Sequence, residues 1–190
     1  MFFITVSGSA PDGWDSSVWK SEIDREHLER TFEGWDEKLK TGAIDAVMTS
    51  GPGVTFNQWE SAPAPTYHRG RICMMGDAAH ATSNWLGQGA AMAMEDCAVL
   101  VKLFELVEDR EDVDAAFEVF DKVRRGGRAD MVIAQSRLLG QILTGQKGLD
   151  RVAVKEHDIQ AKREEIRLYD VTEQLHEAQD CFRKLKLEKV

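Results

Sequence analysis

A brief apolar run, Arg71-Ile72-Cys73-Met74-Met75, stops at Gly76-Asp77, and Gly87-Gln88-Gly89 then opens a long stretch free of helix breakers. The run reads as a buried strand with Asp77 at its carboxyl edge. Residues from Gly89 to about Val107 read as one helix carrying Met92, Met94, Ala98, Leu100 and Leu103. A strand end and a helix start joined by so short a loop leave few folds open, and in α/β proteins that junction is where ligands bind. A carboxylate there can accept paired hydrogen bonds from a polyol. The first amides of a helix lack internal partners and carry the positive end of its dipole, so they favour an anion or an electron-rich carbonyl. Together these features describe a ligand with a hydroxylated chain on one side and a ring able to carry negative charge on the other. The competing reading of Asp77 is a loop aspartate that satisfies local amides.

The rest of the chain is mostly helical in pattern. Leu28, Phe32, Trp35 and Leu39 recur every three or four residues and predict one amphipathic helix over about 24–40, stopped by Thr41-Gly42, with a weaker helix over 44–48. Gly51-Pro52-Gly53 turns into an alternating strand, Val54 to Trp59, and Phe2 to Ser7 reads as another strand ahead of the Asp12-Gly13 turn. Beyond an acidic link from Glu108, helices are expected over about 114–125 and 129–143, parted by Gly126-Gly127. Residues 150–190 alternate charges with a broken helical stripe, Ile159, Ile166, Val171, Leu175, Ala178 and Cys181.

Composition excludes some classes of function. With 24 basic against 33 acidic residues the formal net charge is −9, so nucleic-acid binding by phosphate neutralisation is not expected. No apolar run approaches the ~20 residues of a membrane span, and a cytoplasmic location is expected. Cys73, Cys97 and Cys181 read as buried reduced thiols, and His27, His68, His80, His157 and His176 never pair at helical ligand spacing, so no metal site is expected. His80 reads as a structural, hydrogen-bonding histidine in preference to a base. Glu95 and Asp96 are neighbours on a helix, point to different sides, and do not form an acid/base pair.

The block Gly70-Arg71-Ile72-Cys73-Met74-Met75-Gly76-Asp77-Ala78-Ala79-His80-Ala81-Thr82, followed by Gly87-Gln88-Gly89 and Glu95-Asp96, resembles the flavin-dependent aromatic hydroxylases, most closely the salicylate-hydroxylase-like monooxygenases. These carry GRV-x-L-x-GDAAHAT, then P-x-x-G-x-G, then an A-x-ED-A helix. Ala116 to Arg125 resembles the family's next helix with its arginine pair, and Asp170 to Gln179 its C-terminal charged helix. Trp14, Trp19 and residues 32–35 resemble its substrate-side region. The resemblance implies an α+β, helix-rich chain, a partial FAD/NAD(P)-binding-type fold with a few short strands followed by C-terminal helices. It implies that Gly76 and Asp77 meet the ribityl chain of FAD and that the amides of Gly87, Gln88 and Gly89 face the flavin pyrimidine; it assigns no catalytic residue. Residues 1–70 are then a remnant of the substrate-side sheet and helix, 71–148 the flavin-contacting strand, loop and helices, and 149–190 a charged helical appendage. Phe56, Trp59, Asn84 and Trp85 are candidates for the substrate pocket, with ordinary core packing as the alternative for the aromatic residues.

Three departures shape the functional expectation. No G-x-G-x-x-G follows a strand, and no second aspartate-glycine block of the kind used with NAD(P)H occurs; Asn84 also stands where the family has proline. The expectation is therefore the C-terminal portion of a FAD-dependent monooxygenase that hydroxylates an electron-rich aromatic or polyketide-like molecule with NAD(P)H as donor. By itself it should bind FAD weakly or not at all, and work with an N-terminal flavin-domain partner or as a homodimer. The alternative is a flavin-free small-molecule-binding domain acting as a non-redox cyclase or isomerase, or a non-catalytic remnant.

Overall fold

The computed structural model describes residue 15 and residues 17–49, 51, 53–143 and 156–188. The expected strand Phe2 to Ser7, the Asp12-Gly13 turn and Trp14 lie outside them. The chain forms two compact units, Met1–Gln58 and Trp59–Val190.

In the first unit, β1 (Lys20–Ile23) pairs antiparallel with β2 (Gly53–Phe56), Lys20 opposite Phe56 and Ile23 opposite Gly53. The strand expected over 54–59 thus ends at Phe56, and its partner Lys-Ser-Glu-Ile, with no apolar alternation, gave no signal of its own. Gly53 is needed at the register end: a Cβ there would fall 2.7 Å from Val47 Cγ1 and 2.8 Å from Ile23 Cγ1. The helix expected over 24–40 is two helices, α1 (Arg25–Thr31) and α2 (Glu37–Met48). Two N-caps explain the division. Asp24 accepts from the His27 amide, while Asp36 accepts from the amides of Lys38 and Leu39 and starts the helix afresh after Gly34 at φ 80°. Leu28, Phe32 and Ile44 form the core, and Trp35 and Leu39 remain exposed.

Gly42 does not stop the chain; it lies inside α2, exposed and with no atom within 4 Å of a built Cβ. Gly42→Ala should therefore stabilise the first unit by about 0.5–1 kcal/mol, through higher helix propensity and a less flexible unfolded chain. Urea denaturation checks this, and a lowered midpoint would contradict it.

The second unit opens with a two-residue ladder, β3 (His68–Arg69) against β4 (Ile72–Cys73), closed through Gly70 at φ 55°. The expected buried strand over 71–75 is therefore short, and Ile72 is exposed because β3 is β4's only ladder partner among the described residues. Next come α3 (Asp77–His80), a 3-10 turn (Asn84–Leu86), α4 (Gly89–Phe104), α5 (Asp112–Arg124), α6 (Arg128–Leu143), α7 (Glu156–Arg167) and α8 (Val171–Glu188). The α+β, helix-rich expectation holds, with helices within two or three residues of the predicted bounds after residue 89. α4, α5 and α8 share one core, which includes Val99, Leu103, Ala116, Phe120, Ala178 and Phe182. A smaller cluster, Met92, Ala129, Val132 and Ile166, joins α4 to α6 and α7. Among the described residues no helix is long and apolar enough to cross a membrane.

Candidate functional site

Gly76 turns β4 into α3 at φ 57°, ψ −142°, a conformation open to glycine and strained for other residues. A Cβ there would also press to 3.4 Å from Ala93 Cβ on α4. This turn delivers Asp77 to the surface, where its side chain is exposed and makes no hydrogen bond to another described residue. A Cβ built on Gly89 would lie 3.9 Å from Asp77 Oδ1, so the fold brings the carboxylate to the start of α4. That start has no side-chain cap. Gly87, at φ 64°, ends the 3-10 turn and lets Gln88 and Gly89 begin the helix directly. Of the residues singled out in the sequence, Gly76, Asp77, Gly87, Gln88 and Gly89 thus form one locality, with an exposed carboxylate beside the uncapped start of α4.

The turn is anchored from beneath by Asp96, which is fully buried on α4. Its Oδ2 accepts from the Gly76 amide at 2.8 Å and from His80 Nε2 at 2.7 Å, and its Oδ1 accepts from Arg124 Nε at 2.7 Å. Burial alone would push this carboxyl up. The hydrogen bonds from His80, the Gly76 amide and Arg124, with the Arg124 charge, outweigh burial and hold it below the usual carboxylate range. Arg124, equally buried, also donates to Met92 O, Glu95 Oε2 and, from α8, Gln174 Oε1. Arg128 pairs with both Glu95 oxygens at 2.8 Å and stacks 3.9 Å above the Tyr169 ring. Glu95 and Asp96 are therefore each taken up by arginine.

This arrangement is the largest feature that the sequence reading missed. A signal existed: two adjacent carboxylates in a helix otherwise almost wholly apolar need buried partners, and Arg124 and Arg128 lie four apart. His80 has the hydrogen-bonding place expected of it. Its Nδ1 is the single buried side-chain nitrogen or oxygen among the described residues without a partner, and the ring borders a cavity of about 100 Å³ with Tyr67, Arg125 and Asp130. Burial, with the charges of Asp130 and Asp96, pushes the Tyr67 hydroxyl up to about 12.

The substrate-side candidates fall in both units. Phe56 is exposed in the first unit; Trp59, Asn84 and Trp85 belong to the second. Trp85 is half-buried against α6, so closely that a Cβ on Gly140 would fall 2.7 Å from its Cδ1. The 3-10 turn is tied to the same helix by Ser83 and Ser136, whose hydroxyls lie 3.0 Å apart. The cysteines are free, but the expectation of buried thiols fails: Cys97 is exposed, on the outer side of α4, and Cys73 and Cys181 are half-buried. No group of three or more metal-ligating side chains occurs among the described residues.

An uncapped helix start and a glycine-only turn thus lie beside an aspartate with no hydrogen bond to another described residue. The chain belongs to the FAD binding domain family, which it matches over residues 14–134. It is 30% identical to the dual trans-enoyl reductase/FAD-dependent monooxygenase tazHJ of Aspergillus terreus, over 96% of this chain and 28% of that protein. It is 33% identical to the 3-hydroxybenzoate 6-hydroxylase of Polaromonas naphthalenivorans, over 91% of this chain and 40% of that enzyme. Among solved structures it superposes on a salicylate hydroxylase in a substrate complex with a TM-score of 0.75 and 27% identity, covering 92% of this chain and 42% of the hydroxylase. The chain thus spans less than half the length of each of these relatives.

Proposed function

We propose that this chain supplies the ribityl and flavin-ring contacts of a FAD-dependent monooxygenase that hydroxylates an electron-rich phenolic or aromatic molecule, working with a dinucleotide-binding half and with NAD(P)H as the electron donor. The observation that carries the reading is the Asp77 carboxylate, without a hydrogen bond to any other described residue, beside the uncapped start of α4. The residues fit the cofactor in kind. Asp77 accepts hydrogen bonds from ribityl hydroxyls; the amides at Gln88 and Gly89, backed by the dipole of a sixteen-residue helix, stabilise negative charge on the ring. Two-electron transfer and the activation of dioxygen are what FAD supplies when bound, and the protein's part is orientation and electrostatics. Asp96 acts at one remove, holding the Gly76 amide and hence the direction in which Asp77 points. Three free cysteines suit a reducing cytoplasm, where NAD(P)H is available.

The test is a flavin-fluorescence titration of the whole chain. FAD should bind weakly, since the sequence has no fingerprint for the pyrophosphate. Asp77→Ala should lower the affinity about ten-fold, the worth of a charge-assisted hydrogen bond, and leave the melting temperature of the flavin-free chain unchanged. An affinity indifferent to Asp77→Ala would remove this residue from the site.

A further inference from the structure

One ring nitrogen of His80 has a partner and the other has none. Nε2 lies 2.7 Å from Asp96 Oδ2, and Asp96, despite its burial, is held ionised by the bonds described above. Nε2 therefore carries the proton and donates it to the carboxylate, which leaves Nδ1 of the uncharged ring as an acceptor. The side chain is fully buried, and Nδ1 meets no donor among the described residues. A buried acceptor without a donor loses its hydration and regains nothing, so its persistence points to an occupant. Asp96 is absent from the walls of the cavity of about 100 Å³ that the His80 ring borders, so the ring turns toward that space the side away from the carboxylate.

The walls select the chemistry of the occupant. Pro63, Ala64 and Ile133 make the body of the cavity apolar. The Tyr67 hydroxyl, pushed up to about 12 chiefly by burial, keeps its proton and offers a second hydrogen-bonding group. At the rim Arg125 is neutralised by Asp121 at 2.7 Å, and Asp130 adds a negative charge, so an anion is disfavoured. An apolar cavity of about 150 Å³ is large enough for benzene, and by that scale this one suits a compact molecule of about five heavy atoms. We infer that the cavity is a binding site for a small uncharged molecule that presents an N–H or O–H donor to His80 Nδ1 from a compact, largely apolar body. The site lies wholly in the second unit and shares no residue with the Gly76, Asp77 and Gly87–Gly89 locality, so the inference stands apart from the flavin reading. The two places are nevertheless linked. Asp96 Oδ2 accepts from both His80 and the Gly76 amide, and a donor on Nδ1 strengthens the first of these bonds at the expense of the second.

The probe is pyrazole, an uncharged five-atom ring with one N–H donor, titrated into the whole chain at about pH 8, above the ordinary histidine range. Proton–nitrogen NMR should show the His80 ring nitrogens and the Gly76 amide moving together along one saturating curve. N-methylpyrazole keeps the ring and lacks the donor, and should bind at least about ten-fold more weakly. His80→Gln keeps a side-chain N–H for Asp96 and lacks the Nδ1 acceptor, so it should abolish the preference between the two probes. Ala62→Phe, at the exposed rim, leaves His80 and Asp96 untouched and should weaken both probes alike. A pyrazole titration without saturation would mean that Nδ1 is satisfied by water alone and would overturn the site. So would equal affinity for the two probes, a preference that survives His80→Gln, or affinities unchanged in Ala62→Phe.

Discussion

Replacing Asp96 with alanine should cost the second unit about 3–5 kcal/mol, the range for removing one partner from a buried ionic network. The reason is what stays behind. Arg124 keeps Glu95 and Gln174 but loses its shortest carboxylate contact in a fully buried position, while the Gly76 amide and His80 Nε2 lose their acceptor altogether. Urea denaturation followed by circular dichroism measures the loss, and a change below about 1 kcal/mol would show that the network is incidental to stability. The same carboxylate sets a direction for pH. Asp96 is held below its ordinary range despite burial, and so is Asp121, where burial is outweighed by hydrogen bonds from Arg125 and the Tyr67 amide; Asp112 is lowered chiefly by its bond from Lys186. A carboxyl whose folded pKa is depressed gives its full stabilisation above the unfolded value, near 3.9, and loses it as pH falls through the folded value. Stability should accordingly hold at neutral pH and decline steeply below about pH 4. In Asp96→Asn the decline should be shallower, because the amide has no proton to gain.

The contrast between Asp96 and Asp77 separates what could be read in the sequence from what could not. Asp77, Gly87 and Gly89 were legible because their residue types are demanded locally: a glycine-only turn, a helix start, a carboxylate at a strand end. The structure gathers them as the order of elements suggested. Asp96 was legible only as one of two adjacent helical carboxylates that point to different sides; its bonds to Gly76, His80 and Arg124 span 16 to 28 residues, and no local pattern encodes such reach. Helices followed the same division. The long apolar periods of α4, α5 and α6 announced themselves, whereas the break between α1 and α2 depended on Asp36 acting as a cap inside a continuous periodicity. β1 escaped because a strand of Lys, Ser, Glu and Ile is specified by its pairing with β2 more than by its own residues. The depth of α8 was hidden for a related reason: its many charges describe the outer face, and two buried residues describe the other.

Phe182→Ala tests that inner face, with an expected loss of about 3–5 kcal/mol for a large aromatic side chain removed from a packed core. Phe182 is 1% exposed in the cluster that unites Val99 and Leu103 of α4 with Ala116 and Phe120 of α5. A cavity there acts on more than α8. Gln174, on the same helix, accepts from Arg124 and donates to Val123 O, so α8 braces the arginine that holds Asp96, and Asp96 holds the Gly76 turn. Loss of Phe182 should therefore appear first as a lower urea midpoint and then as faster amide hydrogen exchange along α4 and at Gly76. Leu187, 77% exposed on the same helix, is the control, and its alanine variant should stay within about 0.5 kcal/mol of the parent. Equal effects at the two positions would mean that α8 is a surface appendage, in which case the bracing of the Gly76 turn would have to come from α5 and α6 alone.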